Sequence, residues 1–327
     1  MPNLDDVATI VPSALSFRVN AIRLAISVGV APVEELLGRC TFGAPARDPI
    51  ALAVSGGPDS IAMAILAKAA GHTIEIWHVD HQIRPSSSLE AQAVAEFAEL
   101  AGARFHLVSQ RVEPGANLEA RARQLRKSRL PMGIATGHTM DDQAETLLIN
   151  LLRGAGAKGL AGMRPGASKP ILALRKSETE AICAALELTP IRDFSNDSAE
   201  FVRNRIRHEV LPLMADIAAR EVVPILYRTS ALFGEEEAEL DDLAASLDAH
   251  SCAELAGAPR VLRRRRLRQA VAELVGYPPS FEALESLETL VLGRSNFRTQ
   301  LSGGVDVTCK KGRISYTLAR AALGGLG

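Results

Sequence analysis

Aromatic residues are scarce: Phe, Trp and Tyr make up 4% of the 327 residues, with a single tryptophan. A row of exposed rings is therefore excluded as the main way this chain would hold single-stranded nucleic acid. Cysteine is sparse too. Cys40, Cys183, Cys252 and Cys309 lie far apart with no Cys-x-x-Cys pair. That speaks against a zinc ribbon, an iron–sulfur cluster or a disulfide framework, and fits reduced thiols. No apolar run reaches the roughly 20 residues a membrane helix needs. Asp5, Asp6, Arg18 and Arg23 interrupt any signal-peptide pattern, so the expected setting is the cytoplasm, with no membrane. Net charge is nearly lacking as well, at −1. This argues against a wholly basic nucleic-acid surface and leaves room for a local one.

What is present reads as an ordinary globular chain, 47% hydrophobic and 23% charged, and long enough for two domains. Its organising stretch is Ala51-Leu-Ala-Val-Ser-Gly-Gly-Pro-Asp-Ser60. An apolar strand, Ile50 to Val54, stops at Gly56 and Gly57, and a helical pattern begins after Pro58. Glycines let backbone N–H groups approach a phosphate, and the first helical turn adds unpaired donors and the positive dipole end. Asp59 sets a carboxylate beside that anion site, suited to the magnesium ion of a nucleotide phosphate, and Ser55 and Ser60 add hydroxyls. The spacing matches neither the Gly-x4-Gly-Lys-Ser/Thr loop nor the dinucleotide Gly-x-Gly-x-x-Gly motif.

Around this stretch the pattern alternates. Residues 13–39 form a helical preface. Strands are expected at Ile50–Val54, Thr73–Val79, Arg104–Val108 and Met132–Thr136. Helices follow the glycine loop, Ser87, Asn117 and Thr139. Strand–helix alternation predicts a parallel α/β sheet with right-handed crossovers, and ligands beyond the carboxyl ends of its strands. His78, Asp80 and His81, at one such end, would point to opposite faces of a strand, which speaks against metal ligation, so they either line a nucleotide pocket or are structural. In His138-Thr-Met-Asp-Asp-Gln-Ala-Glu, Thr139-x-x-Asp142 can cap a helix, and Asp142 and Glu145 share its face. With His138 they could pair with a cation, move a proton or hold magnesium; dipole-favoured surface carboxylates are the rival reading. Ser177-x-x-Glu180 is expected to cap a further helix. Arg203, Arg205 and Arg207 offer forked donors for phosphate, or a solvated helix face. From about residue 215 long helices take over. Arg260, Arg263 to Arg266 and Arg268 either grip an RNA backbone or form a salt-bridge network. Three short β-strands with hairpin turns end the chain.

Taken together these clusters resemble a known family. Ser55-Gly-Gly-Pro-Asp-Ser60 is similar to the loop of the ATP pyrophosphatases, the PP-loop superfamily. Glu119-Ala-Arg-Ala-Arg, His138-x-x-Asp-Asp-Gln-x-Glu-Thr with Leu151-Leu-Arg-Gly, and Asp193-x-Ser-Asn with Arg203-Asn-Arg-Ile-Arg narrow the resemblance to the tRNA(Ile)-lysidine synthetases. The resemblance implies an adenine-nucleotide-hydrolase-like, Rossmann-like domain over 49–215. A helical extension over 1–48 would precede it, and a mainly helical tRNA-binding domain with terminal strands would follow over 216–327. It implies an enzyme that uses ATP and Mg2+ to adenylate C2 of the wobble cytidine in CAU-anticodon tRNA(Ile), after which free L-lysine displaces AMP. Ser55, Gly56, Gly57, Pro58, Asp59 and Ser60 would bind ATP, with Asp59 also on the metal. Asp59, His138, Asp142, Glu145 and Arg205 would be catalytic. Arg121, Arg123, Arg203, Asn204 and Arg207 would face substrate or RNA. A homodimer is compatible with it. The nearest alternatives are a tRNA thiolase of the same superfamily, which would use a cysteine pair or cluster, and a nucleotide-binding regulatory protein, which would need the loop alone.

Overall fold

The computed structural model describes residues 31–45, 48–80, 87–109, 129–191, 202–293 and 296–318. The chain divides into two compact units, Met1–Ala231 and Leu232–Gly327. Among the described residues no helix is long and apolar enough to cross a membrane.

In the first unit, helix α1 (Val33–Gly38) leads to strand β1 (Ile50–Ala53), helix α2 (Pro58–Ala69), β2 (Ile74–Asp80), α3 (Ser87–Leu100), β3 (Arg104–Ser109) and β4 (Ala135–Thr136). The sheet is parallel throughout, in the order β3-β2-β1-β4. Helix α2 is apolar nearly all round. Ile61, Met63, Ile65 and Leu66 are all buried in one cluster with Leu52, Ile74, Ile76 and Phe97. Each such side chain contributes about 1.5–3 kcal/mol on burial, so the helix that starts at the glycine loop is fixed by the core beneath it. The strand expected at Met132–Thr136 shrinks to two residues. Met132 is exposed, and the N–H of Ile134 turns back to the carbonyl of Pro131.

The sheet order carries the first functional consequence. From β1 the chain crosses to β2 on one side, while β4 joins β1 on the other, with Leu52 opposite Ala135 and Ala53 opposite Thr136. The carboxyl ends of β1 and β4 therefore flank the switch point where open parallel sheets bind ligands. Both chemical motifs begin there.

After β4 come α4 (Met140–Leu152), α5 (Ala157–Leu160) and α6 (Lys176–Ala185). A composite helix follows, made of α7 (Val202–Arg205), a π-helical turn (Ile206–Val210) and α8 (Leu211–Ala218). The second unit takes in the later part of α9 (Val223–Ala245) with α10 (Cys252–Gly257), α11 (Arg260–Val275) and α12 (Phe281–Gly293). It closes with the antiparallel sheet of β5 (Phe297–Leu301), β6 (Val305–Lys310) and β7 (Arg313–Leu318). Lys311 and Gly312, both at positive φ, make the tight turn between β6 and β7. Its core gathers Leu255, Leu267, Leu287, Val305 and Val307. That core also corrects the picture of isolated cysteines: the sulfurs of Cys252 and Cys309 lie 3.0 Å apart. Burial pushes the Cys252 thiol up to about 12.

Candidate active site

The loop is built around Ser60. Its buried hydroxyl donates to the carbonyl of Gly57 at 2.9 Å and accepts from the Ser55 N–H at 3.2 Å. Those contacts make Ser60 the internal brace of the loop, while Ser55 is the exposed hydroxyl. Gly56 has φ +90, a conformation that favours glycine, and a Cβ there would also displace the tip of the Ile191 side chain, whose Cδ1 would lie 2.3 Å away. Pro58 starts α2 at a position whose missing N–H costs nothing. Asp59 follows in the first turn. Burial pushes its carboxyl up to about 6; Asp142 and Glu180 add to this, and the Thr179 hydroxyl and Lys176 offset part of it. Thr179 Oγ1 donates directly to Asp59. Among the described residues Asp59 has no ion-pair partner, so a half-buried carboxylate stands at a helix start with only the Thr179 hydroxyl and Lys176 to offset its charge. A divalent cation suits that position.

Gly137 joins the second motif to the loop. A Cβ on it would lie 2.8 Å from the carbonyl oxygen of Asp59 and 2.9 Å from the nitrogen of Ser60, so glycine lets β4 run against the start of α2. His138 comes next, its Nδ1 2.9 Å from the hydroxyl of Thr136. The motif then spends its residues on different neighbours. Thr139 caps α4, its N–H and hydroxyl both donating to Asp142 at 2.9 and 3.1 Å. Asp141 reaches across to α6 and accepts from the Lys176 N–H at 2.8 Å and from Arg175 Nε at 3.2 Å. Gln143 holds the 161–163 loop through the carbonyls of Ala161 and Met163 and the N–H of Met163. Glu145 is wholly buried. Arg203 Nε and Arg207 Nε each donate to one of its oxygens at 2.6 Å, and Arg203 also donates to Asp142 at 2.9 Å.

Asp59, Asp142, Glu145, Arg203 and Arg207 are thus brought together, with His138 beside the loop. Arg205 is not. Along the composite helix Arg203 and Arg207 lie one turn apart and face α4, whereas Arg205 points the other way and pairs with Glu209 at 2.8 Å, its side chain 63% exposed. Asn204 is buried, which removes it from any surface offered to RNA. Arg121 and Arg123 lie outside the described residues, as does the helix expected from Asn117. His78 is structural: buried, with Nδ1 2.8 Å from the carbonyl of Val54. The cap of α6 also differs from the expected Ser177/Glu180. Glu178 accepts the N–H of Arg175 at 2.8 Å, because Asp141 already fixes the helix start at Lys176.

Between α4, α6 and α8 lies a cleft of about 250 Å³. Its charged lining is Asp141, Glu145 and Glu221 with Arg175, Lys176 and Arg207; its apolar lining is Leu211, Pro212, Ala215, Val222 and Val223. Helix α6 connects cleft and loop, since Lys176 lines the one and Thr179, a turn later, holds Asp59 of the other. Gly137 was expected with His138 at a strand end, whereas sequence reasoning missed Thr136, Arg175, Lys176 and Thr179, which carry no local signal of their own.

A parallel sheet with a glycine loop at its switch point and an acidic helix beside it defines a nucleotide-using PP-loop protein, and residues 34–214 match the family described as PP-loop domain. Three curated proteins named tRNA(Ile)-lysidine synthase are similar along most of their length. The one from Nocardia farcinica is 39% identical over 298 residues, covering 85% of this chain and 93% of the relative. The one from Rhodococcus erythropolis is 35% identical over 277 residues, covering 80% and 84%. The one from Salinispora tropica is 36% identical over 324 residues, covering 89% and 97%. The chain belongs to the tRNA(Ile)-lysidine synthase family.

Proposed function

We propose that this protein is an ATP-dependent carbon–nitrogen ligase that forms lysidine in tRNA(Ile). In the first half-reaction the C2 oxygen of the wobble cytidine in the CAU anticodon bonds to the α-phosphorus of ATP, and the bond to pyrophosphate breaks. In the second the ε-nitrogen of free L-lysine bonds to C2, and AMP leaves with the oxygen.

The observation that carries this reading is the meeting of an anion-binding loop with a cleft that offers both signs of charge. The loop's glycine backbone, Ser55 and the start of α2 would take the triphosphate. Asp59 would hold the magnesium that accompanies it, whose charge would draw electrons from the phosphates. Lysine is a zwitterion with an apolar stem and a second ammonium, and the cleft matches each part. Arg175, Lys176 or Arg207 would take its carboxylate, and Leu211, Pro212, Val222 and Val223 its methylenes. Asp141, Glu145 and Glu221 would take its ammonium groups. An ammonium of ordinary pKa near 10.4 must lose a proton before it attacks. His138, at the mouth of the sheet beside the loop, is the proposed acceptor. Arg203 and Arg207 hold Asp142 and Glu145 in place while keeping donors for the α-phosphate.

The proposed tRNA-holding part is residues 216–327. Its contacts to phosphate are assigned to exposed cations such as Arg268 and Lys311. Arg263, Arg264, Arg265 and Arg266 are committed to carboxylates within the second unit. The test is incorporation of labelled lysine into unmodified CAU-anticodon tRNA(Ile), with wild type and Asp59→Ala. Expected is ATP-dependent incorporation matched by pyrophosphate and lost in the variant. Pyrophosphate without incorporation would leave the loop in place and remove lysine as the second substrate.

A further inference from the structure

Helix α6 grips the first turn of α2 at two consecutive residues. Thr179 Oγ1 contacts Asp59 Oδ1. Cys183 Sγ, one turn further along the same face, donates to the carbonyl of Pro58 at 3.6 Å. Both side chains are buried. The start of α6 is itself pinned from two sides. Asp141 of α4 accepts the Lys176 N–H at 2.8 Å, and Glu178 accepts from Arg39, just past α1, at 3.1 Å. The place of the Thr179 hydroxyl is therefore set by neighbours on other helices. Asp59 has no such support. The last torsion of an aspartate side chain is broad, so nothing within the residue fixes which way its oxygens face. Among the described residues the Thr179 hydroxyl is the one hydrogen-bond partner of its carboxylate. That hydroxyl has a single hydrogen and a second neighbour, the carbonyl of Lys176 at 2.8 Å. When Asp59 is ionised, its charged oxygen is the stronger acceptor and takes the hydrogen.

We propose that Thr179 is a positioning residue for the metal: it holds Oδ1 of Asp59 and leaves Oδ2 to the divalent cation that accompanies the nucleotide. This rests on the reading of Asp59 as that cation's ligand and adds the residue that orients it. A carboxylate free to rotate loses that freedom on binding, whereas one already held has lost it beforehand. Residues that hydrogen-bond a metal's ligands govern its affinity by about 10–100-fold. A hydroxyl suits the task. Glu145 is held by two guanidinium groups, which compensate its charge. Thr179 fixes an oxygen of Asp59 and adds no positive charge of its own.

The experiment is calorimetric titration of the full chain with α,β-methylene-ATP at pH 8, where protons compete little for Asp59. It is run with Mn2+ in place of Mg2+ and again with no divalent ion. The quantity read is the gain in nucleotide affinity that the metal brings. Wild type is expected to show that gain and Asp59→Ala to lack it. Thr179→Val is expected to weaken binding about 10–100-fold with Mn2+ and by less than about threefold without it. Thr179→Ser keeps the hydroxyl, and Cys183→Ala loosens the same pair of helices elsewhere; both are expected to retain the gain. Thr179→Ala removes the same hydroxyl and decides the case if Thr179→Val does not fold. A full metal gain in the variants without the hydroxyl overturns the proposal, because Asp59 then needs no holding. An equal loss with and without Mn2+ also overturns it, since the hydroxyl would then only brace the loop. A comparable loss in Cys183→Ala overturns it by assigning the effect to packing. If Asp59→Ala keeps the gain, the reading of Asp59 as metal ligand falls first and this one falls with it.

Discussion

Glu145 in the first unit and Glu288 in the second are each buried among several arginines, and the two sites are put to different ends. Glu145 accepts from Arg203 and Arg207, and Glu288 is held by Arg263, Arg264 and Arg260. Both carboxylates are almost wholly withdrawn from water. The cations differ. Arg263 is as buried as its partner, and its remaining donors end on the carbonyls of Leu255, Ala256 and Ala258, while Arg264 stacks over Phe281. Glu145 and Arg207 instead line a cleft. A closed set of charges fixes how helices pack, whereas an open one can bind a charged ligand. Counting arginines in the sequence therefore overrates the run at 263–268 and underrates the pair at 203 and 207.

The comparison breaks most readily at stability. Glu288→Gln should strand a buried Arg263 and destabilise the protein by about 3–5 kcal/mol, read from urea unfolding. Glu145→Gln should cost only about 1 kcal/mol, since Arg203 keeps Asp142 and Arg207 can turn to the cleft. Equal losses would erase the distinction. Asp59 sharpens it as a half-buried carboxylate with no ion-pair partner among the described residues. Its folded pKa, about 6, lies above the ordinary value of 3.8. The neutral form is thus the one that folding favours, and stability present below pH 4 is lost as pH rises through 6. Asp59→Asn should stabilise the metal-free protein by roughly 2–3 kcal/mol at pH 8, with no gain at pH 4. Smallest is the effect at Arg205. Its exposed pair with Glu209 predicts no measurable change in the urea midpoint for Arg205→Ala and near-normal lysidine formation, against a clear loss for Arg207→Ala.

Much of this was legible beforehand, because local rules and tertiary structure agree at the loop. Strand, Gly56-Gly57, Pro58 and Asp59 follow from backbone conformation and capping alone, and Thr139 with Asp142 forms the box its spacing predicts. The arginines were harder. Whether Arg203, Arg205 or Arg207 faces the site depends on the phase of a helix interrupted by a π turn, which no periodicity shows. Thr179 was hidden because it looks like a mid-helix residue, and its contact is with Asp59, 120 positions earlier. Cys252 and Cys309 were read as isolated because sequence spacing says nothing of a strand folded back on a helix start.

The central claim is that loop and cleft serve different halves of one reaction. Its most direct test measures both halves in Glu145→Gln: pyrophosphate released in the presence of tRNA and ATP, and kcat/KM for lysine transfer. The account predicts pyrophosphate release within about threefold of wild type and lysine transfer lower by about 10²–10³-fold. If both halves fall together, or lysine transfer is untouched, Glu145 does not belong to a separate lysine site and the account is wrong.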